Sequence, residues 1–151
     1  MARFLGSRGC LICGQDNPVG LRLRYRVDER GAVALWTPAE HFQGFGGVIH
    51  GGVVLGLLDD AMWYAAYGQG GVTLTAEATV RYQARVAVGV PIVVSGRVAA
   101  HRGRLWECVA EVRTAEDGRL LAQSQAKFLG VPAADLPALV GDTRVHELPE
   151  A

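Results

Sequence analysis

The sequence has little of several features that would point to particular classes of protein. Only three of its 151 residues are cysteines, and its 15 basic residues balance its 15 acidic ones. Three cysteines cannot all pair within one chain, which argues against a disulfide-stabilised secreted domain. Balanced charge gives no electrostatic reason to expect nucleic acid as the partner. A nucleic-acid-binding protein is therefore not expected.

Long hydrophobic runs are also missing. No apolar stretch reaches the roughly 18–20 residues that a membrane-spanning helix needs. The first ten residues, MARFLGSRGC, lack the apolar segment of a secretory signal. We therefore expect a cytoplasmic protein without a membrane partner, a compartment in which thiols stay reduced.

What the sequence does contain is enough apolar material for one folded core. Half of its residues are hydrophobic and a fifth are charged, as is typical of a globular domain. We expect a single domain over residues 1–151. Its core should span about residues 18–132, preceded by a cysteine-containing loop at residues 1–17 and followed by a tail at residues 133–151.

Two of the cysteines, Cys10 and Cys13, form the motif CLICG. Such a C-x-x-C can be half of a zinc site or a redox pair. The chain offers no second C-x-x-C or H-x3-H, and the NPVG that follows is typical of a turn rather than of a helix start. We favour two small buried or loop thiols, so neither a metal nor a redox cofactor is expected. A ligand role, including a site shared between subunits, is the alternative.

Alternation of apolar and polar residues predicts an antiparallel sheet. Its short connections, among them the Asp117-Gly118 pair, are typical of hairpins. In the strand that begins at Thr75, strict alternation places Thr75 on the face opposite to Val80 and Tyr82. The predicted strands are residues 21–27, 32–36, 75–83, 91–100, 104–115 and 119–130.

One segment, residues 51–67, is instead apolar at nearly every helical angle. A helix of that kind is buried on most sides, and a single helix cannot enclose itself. The sheet must therefore cover it. The sequence predicts an α+β fold in which one curved antiparallel sheet wraps around one long central helix.

The helix opens on His50-Gly51-Gly52 and carries Asp59 and Asp60 in its middle. Backbone N–H groups at a helix start favour negative charge and can stabilise an oxyanion. A carboxylate can act as general base or nucleophile on the same carbonyl. The alternative is structural, with His50 capping the helix and the glycines allowing close packing. Neighbouring aspartates point about 100° apart, so they should have different roles.

Spacing decides where Gly51 and Asp59 can act together. Eight residues of helix correspond to about 12 Å, so the two groups of one helix cannot converge on one carbonyl. Two antiparallel copies of the helix can bring the start of one to the middle of the other. The spacing favours a two-fold dimer with two composite sites.

These motifs resemble those of the hotdog-fold acyl-CoA thioesterases, in particular the PaaI-like and THEM-type branch. The resemblance covers about residues 10–132, and its marks are C-x-x-CG…NP-x-GL at residues 10–21, FQG-x-x-G-x-x-HGG-x-x-x-x-LLD-x-AM at residues 42–62 and T-x-E-x-x-V-x-Y at residues 75–82. It implies hydrolysis of an acyl-CoA to a carboxylic acid and CoA. It also implies a homodimer, assembled further as a dimer of dimers, with no cofactor other than the CoA of the substrate.

The resemblance also assigns roles to individual residues. Asp59 matches the catalytic carboxylate, and the Gly51 N–H matches the oxyanion donor from the opposite subunit. His50 matches the histidine that positions the thioester carbonyl, and Thr75 matches a hydroxyl that orients water. Asp60, where glutamate is common, is assigned a supporting role.

Substrate contacts follow less directly from the resemblance. Relatives carry Asn or Gln six residues before the histidine, whereas this chain has Gly44 with Gln43 beside it, and Arg85 stands where a proline is usual. Arg102 and Lys127 are, with Arg85, candidates for the CoA phosphates. The residues expected to contact substrate are Gln43, Gly52, Met62, Trp63 and Arg85.

Two other functions stay open. One is a non-catalytic acyl-CoA-binding module, and the other is a hotdog-fold hydratase or dehydratase. The latter enzymes pair histidine with a carboxylate in another arrangement, which an aspartate nine residues after the histidine fits less well.

Overall fold

The protein, described by a computed structural model for residues 1–140 and 145–150, folds as one antiparallel sheet with a long helix packed against it. Short 3-10 turns lie at Glu40–Phe42 and Ala133–Asp135. In chain order the elements are β1 Arg3–Gly6, β2 Tyr25–Asp28, β3 Gly31–Trp36, α1 Gly51–Gly68, β4 Thr73–Tyr82, β5 Ile92–Arg102, β6 Leu105–Thr114, β7 Leu120–Gly130, α2 Leu136–Val140 and β8 His146–Glu147.

The sheet of the described residues has eight strands in the order β4-β7-β6-β5-β3-β2-β1-β8. Every pair of these strands is antiparallel. The β6–β7 hairpin turns at Gly118, whose φ of 71° suits glycine. Since β4 pairs with β7 alone, it forms one edge of the sheet. The predicted antiparallel meander is confirmed.

Helix α1 lies on one face of this sheet and supplies the centre of the core. Leu57, Leu58 and Met62 are fully buried. The helix packs tightly on β5 at Gly96, where an added Cβ would lie 2.4 Å from the Ala61 carbonyl oxygen. Glycine is therefore required at this crossing. Among the described residues, no helix is long and apolar enough to cross a membrane.

The prediction of a helix over residues 51–67 is confirmed by α1. The expectation of one helix is incomplete, because the described part of the tail also contains the five-residue helix α2. The described part of the tail of residues 133–151 contributes α2 and β8. Residues 141–144 and 151 lie outside the described residues.

The strand predicted over residues 21–27 is wrong in its first half, since β2 begins only at Tyr25. Leu21 and Leu23 donate their N–H groups to Leu11 and Ile12 of the cysteine loop, each at 2.9 Å. Arg22 between them has a φ of 58°, outside the strand region. In this segment, hydrogen bonds to the cysteine loop take the place of hydrogen bonds to a neighbouring strand. The local alternation of apolar and polar residues could not indicate this.

The predicted N-terminal loop of residues 1–17 also contains a strand. β1 pairs with β2 through Phe4 opposite Arg26 and Leu5 opposite Tyr25, and β8 pairs with the other edge of β1. A segment of four residues is too short to show the alternation of apolar and polar residues that indicates a strand in sequence. The cysteine loop is therefore held between β1 and β2 of the sheet, and it reaches α1.

Candidate active site

The start of α1 is capped by His50. Its Nδ1 accepts a hydrogen bond from the Gly52 N–H at 2.8 Å, so the side chain satisfies one of the unpaired donors of the first turn. In the neutral ring the proton is then on Nε2, which is left as a donor. His50 itself is exposed. The Gly52 N–H is therefore used to hold His50, whereas Nε2 remains available to a ligand.

Gly51 is the first residue of α1, and its N–H makes no backbone hydrogen bond among the described residues. The carbonyl of Gly51 accepts a hydrogen bond from the Tyr82 hydroxyl at 2.8 Å. Gly51 is exposed and lies at the positive end of the helix dipole. An unpaired, accessible N–H at this end can stabilise a developing oxyanion.

The loop before the helix positions His50 through its own hydrogen bonds. Gln43 Oε1 accepts from the Gly47 N–H at 3.0 Å, and the His50 N–H donates to the Phe42 carbonyl at 3.0 Å. Gly44 packs beside the imidazole, where a Cβ would lie 3.4 Å from Cδ2. Gln43 thus shapes the loop through its oxygen and retains an amide NH2 for other partners.

Asp59 lies at the middle of α1, on its half-buried side. Its Oδ1 accepts a hydrogen bond of 2.6 Å from the Thr75 hydroxyl. Burial raises the pKa of the Asp59 carboxyl, and the bond from Thr75 acts in the opposite direction. A carboxylate with a raised pKa is a stronger base than one in water, which suits proton abstraction.

Thr75 reaches Asp59 only because β4 contains a bulge. The register shifts between Thr75 and Glu77, so that Thr75 lies opposite Phe128, and Val80 opposite Ser124. Phe128 and Ser124 are both buried against the core, and directly paired residues point to the same side. The predicted strict alternation is therefore wrong at this point. The extra residue turns Thr75 to the helix side, where Val80 and Tyr82 also lie.

The remaining predicted substrate residues are spread over three environments. Met62 is fully buried in the core. Trp63, one turn beyond Asp59, is partly buried and donates its indole N–H to the Thr73 carbonyl at 2.8 Å. Arg85 is exposed in the segment after β4, next to Val86, whose carbonyl accepts from the Ile49 N–H at 2.8 Å. Trp63 and Arg85 therefore lie near the two halves of the site, and Met62 has no exposed surface.

Two residues near the site were not predicted from the sequence. Tyr82 was assigned only to the apolar face of a strand, yet its hydroxyl binds the first residue of α1. Phe45, in the loop before His50, is 87% exposed. An aromatic flanked by Gly44 and Gly46 in a glycine-rich loop is the one sequence signal that could have indicated Phe45.

A groove of about 800 Å³ lies across the face of the sheet that points away from α1. Its lining includes Arg26, Arg81 and Arg97, which belong to strands β2, β4 and β5. None of the predicted site residues lines it. The candidate site of one chain is thus an open surface at α1 and β4 rather than this groove.

Comparison with known sequences gives two findings. Residues 46–121, half of the chain, match the family described as the Thioesterase superfamily. The chain is 27% identical over 105 residues to acyl-coenzyme A thioesterase THEM4 of Xenopus laevis, which covers 70% of this chain and 47% of that protein. The chain spans about half the length of the curated relatives it matches.

Solved structures resemble this fold over most of the chain. A thioesterase superfamily protein superposes with a TM-score of 0.76 at 24% identity, covering 81% of this chain and 60% of that one. The PaaI protein of E. coli gives 0.65 at 20% identity, covering 68% and 78%. A Streptococcus pneumoniae thioesterase solved with coenzyme A gives 0.66 at 12% identity, covering 70% and 81%. At these identities the likeness shows the fold, and it confirms the predicted hotdog arrangement of antiparallel sheet and helix.

Proposed function

This chain belongs to the Thioesterase superfamily, and from that premise we propose that it hydrolyses an acyl-CoA thioester to a carboxylic acid and CoA. The observation that carries the proposal is the hydrogen bond of 2.6 Å between Thr75 and Asp59. It holds a half-buried carboxylate of raised pKa at the surface of α1. A relative named acyl-coenzyme A thioesterase and a structural neighbour solved with coenzyme A support the choice of substrate.

In the proposed reaction Asp59 acts as general base. It accepts a proton from water as the water oxygen attacks the thioester carbonyl, while Thr75 keeps the carboxylate in place. The carbonyl oxygen becomes an oxyanion and accepts a hydrogen bond from the Gly51 N–H, with His50 Nε2 as a second donor. Collapse of the tetrahedral intermediate breaks the C–S bond, and Asp59 returns the proton to the CoA thiolate. Direct attack by Asp59 through an acyl-enzyme anhydride is the alternative.

The site is proposed to be completed by a second copy of the chain. Gly51 and Asp59 of one helix are about 12 Å apart along its axis. β4 is an edge strand with no partner on its outer side among the described residues, and Leu74 and Tyr82 on it are more than half exposed. An exposed edge of ten residues is a ready surface for pairing with another strand.

The contacts of β4 with α1 indicate how such a pair would be arranged. Near the start of β4, Thr75 holds Asp59, and at its end Tyr82 holds Gly51. Antiparallel pairing of two β4 strands about a two-fold axis would place Thr75 of one copy beside Tyr82 of the other. The oxyanion donor of one copy would then meet the base of its partner. Assembly of such dimers into a dimer of dimers stays a prediction.

Substrate contacts are proposed for the residues predicted from the sequence and for Phe45. Trp63 would contact the acyl group near Asp59, and exposed Phe45 would contact it near His50. Arg85, together with Arg102 and Lys127, offers positive charge for the CoA phosphates. Gln43 and Gly52 would contribute through the loop and the His50 cap, and Met62 through the core that supports Trp63.

A panel of acyl-CoA substrates tests the activity, with release of the CoA thiol as the measurement. We expect turnover of at least one member with no added cofactor. Saturable binding without thiol release would favour the acyl-CoA-binding module. Consumption of an enoyl-CoA without thiol release would favour a hydratase. Either result would contradict the proposed hydrolysis.

Complementation tests the composite site separately. Asp59→Asn disables the base, and Gly51→Pro removes the N–H of the donor. Co-expressed with different tags, the two variants should form mixed dimers with one intact site. Random assembly makes half of the dimers mixed, so the mixture should recover about a quarter of the wild-type rate. If isolated mixed dimers are as inactive as either parent, Asp59 and Gly51 do not act across an interface.

A further inference from the structure

The mechanism leaves unused a second group of reactive side chains on the other side of α1. Cys10 and Cys13 of the cysteine loop meet Asp60, and their two sulfurs and a carboxylate oxygen all lie within 4.8 Å of one another. Cys13 Sγ is 3.8 Å from Asp60 Oδ1, across 47 residues of sequence. Two thiols and one carboxylate converging on one point form the donor set of a metal site.

Asp60 is incompletely satisfied as it stands. Its Oδ2 is buried and has no hydrogen-bond partner among the described residues. The ion pairs found in residues 1–140 and 145–150 do not include Asp60. Burying a carboxylate without a counter-charge is costly. A cation bound between Asp60 and the two sulfurs would remove that cost.

The surroundings of the cysteines suit thiolates that hold a metal. Cys10 Sγ accepts a hydrogen bond from the Ile12 N–H at 3.4 Å. Cys13 Sγ accepts one from the Tyr64 hydroxyl at 3.2 Å, and the Ser7 hydroxyl lies 3.4 Å from the same sulfur. Donors of this kind stabilise the charge on metal ligands and orient them. These three contacts are compatible with ionised sulfurs, and metal binding would replace the hydrogen bond that the Cys13 thiol donates to Asp60 Oδ1.

The loop between the cysteines is tightly folded. The Gly14 N–H donates to the Cys10 carbonyl at 2.9 Å. A Cβ at Gly14 would lie 2.3 Å from that carbonyl oxygen, so a side chain cannot be accommodated there without moving the backbone. The glycine after the second cysteine therefore allows the turn that brings both sulfurs to Asp60.

We propose that Cys10, Cys13 and Asp60 bind a zinc ion that ties the cysteine loop to α1. A tetrahedral zinc with Zn–S of about 2.3 Å and Zn–O of about 2.1 Å separates sulfur from oxygen by about 3.6 Å. The observed 3.8 Å between Cys13 Sγ and Asp60 Oδ1 needs little adjustment. Thiolates select zinc over magnesium or calcium. Because Cys10 is half-exposed, the fourth coordination position of the zinc would be open to solvent.

The proposed zinc site takes up the alternative interpretation of CLICG, a ligand role, in place of the favoured one of two plain thiols. The sequence lacks a second ligand pair, but the third ligand comes from a helix far along the chain. Because Asp60 is the neighbour of Asp59, the ion would fix α1 at the turn that carries the proposed base. The zinc would position that turn and would not itself contact the thioester.

The test is metal binding by the full chain. Protein stripped of metal and kept under a non-thiol reductant is titrated with Zn²⁺ against a chelating dye, and with Co²⁺ as a spectroscopic probe. We expect one Zn²⁺ per chain, and with Co²⁺ a sulfur-to-cobalt charge-transfer band with strong tetrahedral ligand-field bands. Cys10→Ser and Asp60→Asn should each weaken Zn²⁺ binding by more than about 100-fold, beyond what loss of a supporting contact costs.

Cys108→Ala is the matched control, because Cys108 is a buried free cysteine outside the group. It should bind Zn²⁺ as tightly as the wild type. The proposal is overturned if the wild type shows neither Zn²⁺ binding nor cobalt–thiolate bands. It is also overturned if Asp60→Asn binds like the wild type, since the two cysteines would then bind metal adventitiously. Circular dichroism of each variant verifies that loss of binding is not loss of fold, and the wild-type cobalt spectrum decides independently of any variant.

Discussion

Asp59 and Asp60 are neighbours in sequence, yet they lie in opposite kinds of environment. Asp59 is half-buried and accepts a short hydrogen bond from Thr75 of β4. Asp60 points to the cysteine loop, and one of its oxygens is buried without a partner. Burial raises the pKa of both carboxyls, and that of Asp60 much further. One residue of rotation, about 100°, thus separates a group suited to proton transfer from one suited to holding a cation.

The largest expected effect compares the two aspartates directly. Asp59→Asn keeps the shape of the side chain and removes the base, so kcat should fall about 10²–10⁴-fold with little change in thermal stability. Asp60→Asn should lower kcat far less, since it removes only the tie that positions this turn of α1, and it should lose the stabilisation by Zn²⁺. In a chelator it should be at least as stable as the wild type, because an amide buries no charge. Steady-state thiol release and thermal melts with Zn²⁺ or EDTA are the measurements. Equal loss of kcat in both variants would mean that the roles are not divided.

The second-largest effect on kcat is expected at Gly51, the first residue of α1. Gly51→Pro removes the N–H, and proline is favoured at the first position of a helix. His50 has φ −56° and ψ 134°, a conformation allowed before proline. We expect a loss of about 10²–10³-fold in kcat without unfolding.

Gly51→Ala is the control for that substitution. It retains the N–H, and its Cβ would lie 3.6 Å from the Tyr82 hydroxyl, an ordinary contact. Most of the turnover should survive. A proline variant that turns over as fast as the alanine variant would show that the N–H is not an oxyanion donor.

The smallest effect concerns the partner of Asp59. Thr75→Val preserves volume and removes the hydroxyl, so the Asp59 carboxylate loses the hydrogen bond that orients it. We expect about a tenfold loss in kcat, the order of one positioning hydrogen bond of about 1.4 kcal/mol. Thr75→Ser keeps the hydroxyl and should lie close to the wild type. A valine variant with unchanged kcat would reduce Thr75 to a packing residue.

Much of the fold followed from local patterns of the sequence. The apolar segment from Gly51 predicted α1 almost to its last residue, and alternation with the Asp117-Gly118 turn predicted β5, β6 and β7. These elements are determined locally, because helix and strand periodicities are properties of the chain itself. Residues 21–24 were mispredicted for the converse reason, since their hydrogen bonds go to the cysteine loop.

The sequence by itself determined which residues form the helix that carries His50, Gly51 and Asp59, because spacing on a helix follows from its rise and turn. Only the tertiary structure decided what each carboxylate contacts. A one-residue bulge in β4 brought Thr75 to Asp59, and a loop 47 residues away brought Cys13 to Asp60. Such contacts depend on strand register and loop closure between distant segments, and no local pattern encodes them.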